Sequence, residues 1–191
     1  MFLDVFPSKI TEYFFYLLFV LVLIIELSML RRNRLKASTK GDKFSLTFVL
    51  IGVLVPVALS IYLSYLKIGL IDNRVSYFGL LFIIIGFLVR QWSIYVLGKH
   101  FILIVGVNKG QRVIMKGPYK YVRHPSYLGL FFEVLGGVLA LSNFIGVILV
   151  IVLFIPSIFY RINIEEEFLE RNLKGYNEYK NKTYRLIPFV Y

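Results

Sequence analysis

Residues 127–160 read YLGLFFEVLGGVLALSNFIGVILVIVLFIPSIFY: two apolar runs, 127–141 and 144–160, divided by Ser142 and Asn143. A bilayer core of roughly 30 Å takes about 20 apolar residues in a helix. The second run reaches that range and the first is short, and the two small polar residues between them favour a turn. The pair is predicted to be a tight helical hairpin that crosses a membrane and returns. Working outward, 75–98, 44–66 and 13–30 are further apolar runs of spanning length, with a kink expected at Pro56. Residues 161–191 are polar, and their start, RINIEEEFLERNL, reads as a helix continuing out of the bilayer. The expected fold is an all-α integral membrane protein of about five transmembrane helices with a cytoplasmic C-terminal helix and tail. Two parts are expected: 1–98, three transmembrane helices, and 99–191, a half holding a loop, the hairpin and the tail.

The 191 residues are 58% hydrophobic, above the 45–50% usual in soluble domains. No Cys is present and only two His, which excludes thiolate chemistry and Cys-bound zinc and argues against a protein-bound metal. A net charge of +11 would suggest nucleic acid in a soluble protein. In a membrane protein it reads instead as Lys and Arg gathered on the cytoplasmic face, with no nucleic-acid partner. No basic segment precedes the first apolar run, so the start is expected to be a spanning helix and not a cleavable signal peptide.

Orientation follows from basic residues. The stretches 31–43, 99–124 and 161–191 carry six Lys and Arg each, whereas 67–74 carries two and 142–143 none. This alternation predicts an outside N-terminus, with the two basic loops and the tail together on the cytoplasmic side. Two charges fall at membrane depth. Arg90 lies nine residues before Lys99, and Glu133 nine after His124, so each sits about 13 Å inside the boundary. An unpaired charge there is costly, and their matched depth predicts that Arg90 and Glu133 face each other. Glu26, near Arg31, is expected to snorkel to the boundary.

A polar stretch dense in chemistry-bearing side chains, GPYKYVRHPSY, 117–127, leads into the fourth run. Gly117-Pro118-Tyr119 reads as a turn. Pro125 suits the first turn of a helix and restricts His124 to an extended conformation. His124 is therefore expected at a helix entrance, where free backbone N–H groups favour an anion. A helix cap and an aromatic belt explain the same residues without a site.

Extended to GPYKYVRHPSYLG, the motif resembles the hallmark of the isoprenylcysteine carboxyl methyltransferase family, related to phospholipid methyltransferases. Arg161-Ile162-Asn163-Ile164-Glu165-Glu166, then Gly175-Tyr176-Asn177-Glu178-Tyr179, then Tyr184-Arg185-Leu186-Ile187-Pro188, resemble its closing pattern. The likeness covers about residues 98–191. It implies an integral membrane enzyme that moves a methyl group from S-adenosylmethionine to a lipid-borne acceptor, such as a prenylated small molecule or peptide. It further implies that Gln111, Arg112, Val113, Ile114 and Tyr119 line the cofactor site. His124, Pro125, Ser126, Tyr127 and Glu165 would hold the cofactor, and Arg161 would face an acceptor carboxylate. Two departures stand out: Gln111-Arg112-Val113-Ile114 replaces a His-x-Leu-Val pattern, and Pro188-Phe189-Val190-Tyr191 replaces Pro-Gly.

The chemistry suits these residues. A carboxylate acceptor is ionised at pH 7 and needs no strong base; the protein must supply alignment and dehydration. Arg161 or Arg123 can take a carboxylate by a bidentate contact, and Glu165 and Glu166 can accept hydrogen bonds from ribose hydroxyls or an ammonium. An amine acceptor would need proton removal, for which Glu166 or His124 is available. Gly129, Gly136 and Gly137 suit close helix packing or a lipid tail. No G-x-G-x-x-G is present, so a nucleotide-binding βαβ unit is excluded. Two other readings share parts of the pattern: a phospholipid or small-lipid methyltransferase, and an NADPH-dependent sterol-type reductase, which has a similar Arg-His-Pro-x-Tyr.

Overall fold

The structure is a computed structural model and describes residues 5–34, 43–107 and 110–188. The basic loop around Lys36 and the C-terminal Phe189-Val190-Tyr191 departure lie outside the described residues. The long helices are α1 (Lys9–Arg34), α2 (Lys43–Tyr65), α3 (Val75–Leu97) and α4 (Pro125–Ala140). They are followed by α5 (Phe144–Leu149), α6 (Ile155–Asn172) and the short α7 (Tyr176–Lys180). Among the described residues, four helical segments are long and apolar enough to cross a membrane: Lys9–Met29, Phe44–Tyr65, Val75–His100 and Phe144–Asn172. Pro125–Ala140 is the shorter apolar fifth. The all-helical membrane fold expected from the sequence is borne out.

The hairpin is a single unit with a defined turn. Ser142 adopts a left-handed φ of 49°. The Asn143 side chain accepts from Gly146 N at 3.2 Å, capping α5, and donates to Ile68 O at 2.9 Å. The loop between α2 and α3 thus grips the hairpin tip; Phe144 N also bonds Gly69 O at 3.0 Å. A π-helical turn at Val150–Phe154 joins α5 to α6. Pro156 explains it: proline lacks an N–H and crowds the carbonyl four residues earlier, which a wider turn relieves. By contrast, α2 runs on through Pro56, and Ser60 Oγ donates to Pro56 O.

The closest packing is between α3 and α4. A Cβ on Gly86 would lie 2.6 Å from Gly129 O, and one on Gly136 would lie 2.7 Å from Gly79 O. Gly79 and Gly86 on one helix, and Gly129 and Gly136 on the other, are each seven residues apart and so lie on one face. Their backbones meet where side chains are missing. Gly137 faces elsewhere, with only Val57 Cγ2 within reach, at 3.8 Å.

The matched-depth pairing of Arg90 with Glu133 is corrected by the structure. Arg90 Nε and NH2 donate to the two carboxylate oxygens of Glu26 on α1, at 2.5 and 2.8 Å, and NH1 donates to Ser126 O at 3.1 Å. Glu26 therefore turns inward to a partner and does not snorkel. Depth along one helix says nothing about azimuth, and a fork-shaped guanidinium takes the carboxylate that offers bidentate geometry.

Candidate functional site

The 99–124 loop and the tail meet at one end of the bundle. The backbone from 121 to 124 pairs with the tail: Arg123 N bonds Tyr184 O at 2.9 Å, His124 N bonds Arg185 O at 3.1 Å, and Tyr184 N bonds Tyr121 O at 2.9 Å. The Tyr179 hydroxyl on α7 donates to Tyr119 O at 2.8 Å. Leu173, Tyr176 and Tyr179 pack with Val107, Val113 and Leu169 into a small apolar cluster. Burial pushes the Tyr119, Tyr176 and Tyr179 phenols well above their usual range, so all three stay neutral hydrogen-bonding groups.

Glu166 binds the segments together. Its Oε1 accepts from Arg123 Nε at 2.7 Å and lies 3.1 Å from His124 Nε2, where the ring donates. Its Oε2 accepts from Arg185 Nε and NH2 at 3.0 and 2.8 Å. Arg123 further donates to the carbonyls of Lys180 and Thr183. His124 caps α4 with φ −123° and ψ 52°, short of the extended conformation expected before proline. There its N–H is tied to Arg185 and its ring to Glu166.

One residue earlier on α6, the environment changes. Glu165 Oε2 accepts from the Tyr127 hydroxyl at 2.7 Å, and that hydroxyl accepts from Arg161 Nε at 3.3 Å. Arg161 is 2% exposed. Its NH1 donates to Ser45 Oγ on α2 and its NH2 to Leu103 O in the loop. Arg161 and Glu165 are one helical turn apart, so both point to one face, while Glu166 points to the tail.

A cavity of about 470 Å³ runs along this face. At the polar end it is lined by Gln111, Arg112, Val113, Ile114, Tyr119, Arg123, His124, Ser126, Tyr127, Arg161 and Glu165. It continues into the membrane between Phe19 and Val22 of α1, Val49, Val53 and Val57 of α2, Ile83 of α3, and Val134 and Gly137 of α4. Of the residues singled out from sequence for catalysis or cofactor binding, Pro125 and Glu166 do not line it, and of the three α4 glycines only Gly137 does. Pro125 is buried at the start of α4, and Glu166 holds the loop to the tail.

Several lining residues had been given no role by the sequence. Tyr176 and Tyr179 sit in the quoted Gly175–Tyr179 stretch, so the signal was present. His100 and the Leu103 carbonyl carried none, because single residues outside a motif reach the cavity only through folding. Among the described residues, the Tyr176 hydroxyl and Glu133 Oε1 are buried without a hydrogen-bond partner, and both residues line the cavity.

Residues 79–171 match the isoprenylcysteine carboxyl methyltransferase family model, which bears out the resemblance read from the motif. A protein-S-isoprenylcysteine O-methyltransferase of Saccharomyces cerevisiae is 38% identical over 117 residues, 59% of this chain and 48% of that protein. Protein-S-isoprenylcysteine O-methyltransferase A of Arabidopsis thaliana is 31% identical over 119 residues, 61% of this chain and 60% of that protein. The solved structure of a eukaryotic intramembrane Ras methyltransferase, an isoprenylcysteine carboxyl methyltransferase, aligns with a TM-score of 0.56 and 26% identity. That alignment covers 78% of this chain and 54% of the solved one. The chain thus spans between about half and three fifths of the length of these relatives.

Proposed function

Taking residues 79–171 as an isoprenylcysteine carboxyl methyltransferase segment, we propose that this protein is a membrane methyltransferase. Its donor is S-adenosylmethionine and its acceptor the carboxylate of an isoprenylcysteine-like lipid. The observation that carries the proposal is a continuous cavity: polar where loop, α6 and α7 meet, apolar between the helices, with Arg161 and Tyr127 at the junction.

The residues at the polar end fit the donor. The Tyr176 hydroxyl is buried there without a hydrogen-bond partner among the described residues, and a buried polar group without one is expected to have its partner in a ligand or an ordered water. Glu165 keeps acceptor positions beyond the one used by Tyr127 and suits ribose hydroxyls or an ammonium. Residues 111–114 and Tyr119 form the adjoining wall. When bound, the cofactor supplies an electrophilic methyl on a sulfonium. The chain's own residues hold and dehydrate the partners. Arg161, already anchored by Ser45, Leu103 and Tyr127, presents a fixed cation beside the junction. A carboxylate drawn to it is aligned without a base, since it is ionised when it arrives. The apolar half takes the prenyl chain and keeps water out.

In this reading Arg123 and Glu166 are positioning residues, because they are engaged with each other and with the tail. The polar machinery belongs to 99–191, and 1–98 supplies the lipid-side wall. The loop and tail face the cytoplasm, where the cofactor is available, and the N-terminus lies outside.

The test is transfer of a radiolabelled methyl group to N-acetyl-S-farnesylcysteine by the protein in nanodiscs, together with thermal stabilisation by ligands. A base-labile labelled ester and stabilisation by S-adenosylhomocysteine are expected. No ester, and stabilisation by NADPH instead, would overturn the reading in favour of a reductase.

A further inference from the structure

Of the carboxylates that line the cavity, Glu26 holds Arg90 and Glu165 faces the donor, which leaves Glu133 without a task. It lies on α4, 8% exposed, and lines the apolar half of the cavity. Among the described residues no hydrogen bond reaches its Oε1. The nearby cation is already taken, since Arg90 gives both arms of its fork to Glu26. The surroundings therefore hold one guanidinium and two carboxyl groups; Glu133 feels the Arg90 charge, but among the described residues its Oε1 has no hydrogen-bond donor. Helix packing does not demand a glutamate here. Gly86 of α3 sits against the Glu133 backbone, where its own Cβ would come 2.6 Å from Glu133 N, so the close approach of the helices depends on Gly86. A carboxyl oxygen buried at membrane depth without a hydrogen bond is costly to keep. The cavity it lines makes a ligand the available partner.

We infer that Glu133 is a specificity-determining residue: it recognises a hydroxyl on the hydrocarbon part of the acceptor lipid, about two helical turns below the reacting carboxylate. The inference rests on the methyltransferase reading and sharpens its substrate class. The spacing comes from the helix, because Tyr127 and Glu133 are six residues apart on α4, or about 9 Å. A hydroxyl is the group that fits best, since it donates to a carboxylate and accepts from a carboxylic acid. It therefore satisfies Glu133 in either protonation state. An ammonium would serve only the ionised form and would itself need burial in the bilayer. A plain prenyl chain would leave the carboxyl unpaired, and a site with an unpaired buried polar group discriminates against a ligand that cannot satisfy it.

The experiment compares three probes in nanodiscs: N-acetyl-S-farnesylcysteine, its analogue with a hydroxyl on the second isoprene unit, and the corresponding amine. Binding is read by thermal stabilisation without any methyl donor, and transfer is read separately. Wild type should bind the hydroxylated probe at least about tenfold more tightly than the plain one. Glu133→Leu should erase that preference while still binding the plain probe, and Glu133→Gln, which keeps a hydrogen-bonding group of the same length, should retain most of it. No preference in the wild type, a preference that survives Glu133→Leu, or a stronger preference for the amine overturns the inference. Selective binding of the hydroxylated probe with no transfer to any probe would overturn the methyltransferase reading and leave the recognition by Glu133 standing.

Discussion

Glu165 and Glu166 are neighbours in sequence yet face opposite tasks. Glu165 takes the Tyr127 hydroxyl at 2.7 Å beside the cavity, while Glu166, 2% exposed, takes Arg123, His124 and Arg185. A helix turns about 100° per residue, so one step along α6 moves a side chain from the cavity wall to the packing between loop and tail.

The two glutamates should therefore fail differently. Glu166→Ala strips Arg123, His124 and Arg185 of the carboxylate they share and should cost about 3–5 kcal/mol, as breaking buried pairs does. Thermal unfolding in detergent should show a fall of at least about 6 °C for the ligand-free protein. Glu165→Ala should leave that midpoint within about 2 °C and abolish stabilisation by S-adenosylhomocysteine. Equal midpoints for the two variants would refute the division.

Arg161 combines both tasks. It is buried and ties α6 to Ser45 on α2 and to Leu103 in the loop, so Arg161→Ala should lose stability as well as activity. Arg161→Lys keeps the charge without the planar fork. It should reduce kcat/KM for methyl transfer by about 100-fold while lowering the unfolding midpoint less than Arg161→Ala does. Transfer within a factor of about three of wild type would remove Arg161 from the acceptor site.

Inside the membrane, the carboxylate that matters for stability is Glu26. Glu26→Ala leaves the Arg90 guanidinium, 4% exposed, without its bidentate partner and should cost about 3–5 kcal/mol. Exchanging the two, Arg90→Glu with Glu26→Arg, should recover part of the loss. The exchange of Arg90 with Glu133 should recover none, and a rescue there by chemical denaturation would show that the pairing is wrong.

Adjacent glycines on α4 offer a control for close packing. Gly136→Ala brings a methyl to 2.7 Å from Gly79 O and Ile83 N, both backbone atoms that cannot step aside. Gly137→Ala meets only Val57 Cγ2 at 3.8 Å. Overpacking costs typically 1–3 kcal/mol, so Gly136→Ala should lower the unfolding midpoint by about 2–10 °C and Gly137→Ala by no more than about 2 °C. Similar midpoints would mean the α3–α4 seam is looser than described.

The sequence by itself determined the spans, the hairpin turn at Ser142 and Asn143, and the meeting of loop and tail at one membrane face. These follow from hydrophobic length and from where Lys and Arg fall, both one-dimensional quantities. The family motif likewise pointed to residues that line one cavity, because local chain geometry carries the His124–Tyr127 stretch and α6 into it. Tertiary structure alone decided the partners. It gave the Arg90 fork to Glu26 and not to Glu133, turned Glu165 and Glu166 apart, and left Glu133 on the cavity wall. Those outcomes depend on azimuth, helix approach and the directional geometry of hydrogen bonds, and only three-dimensional packing sets these.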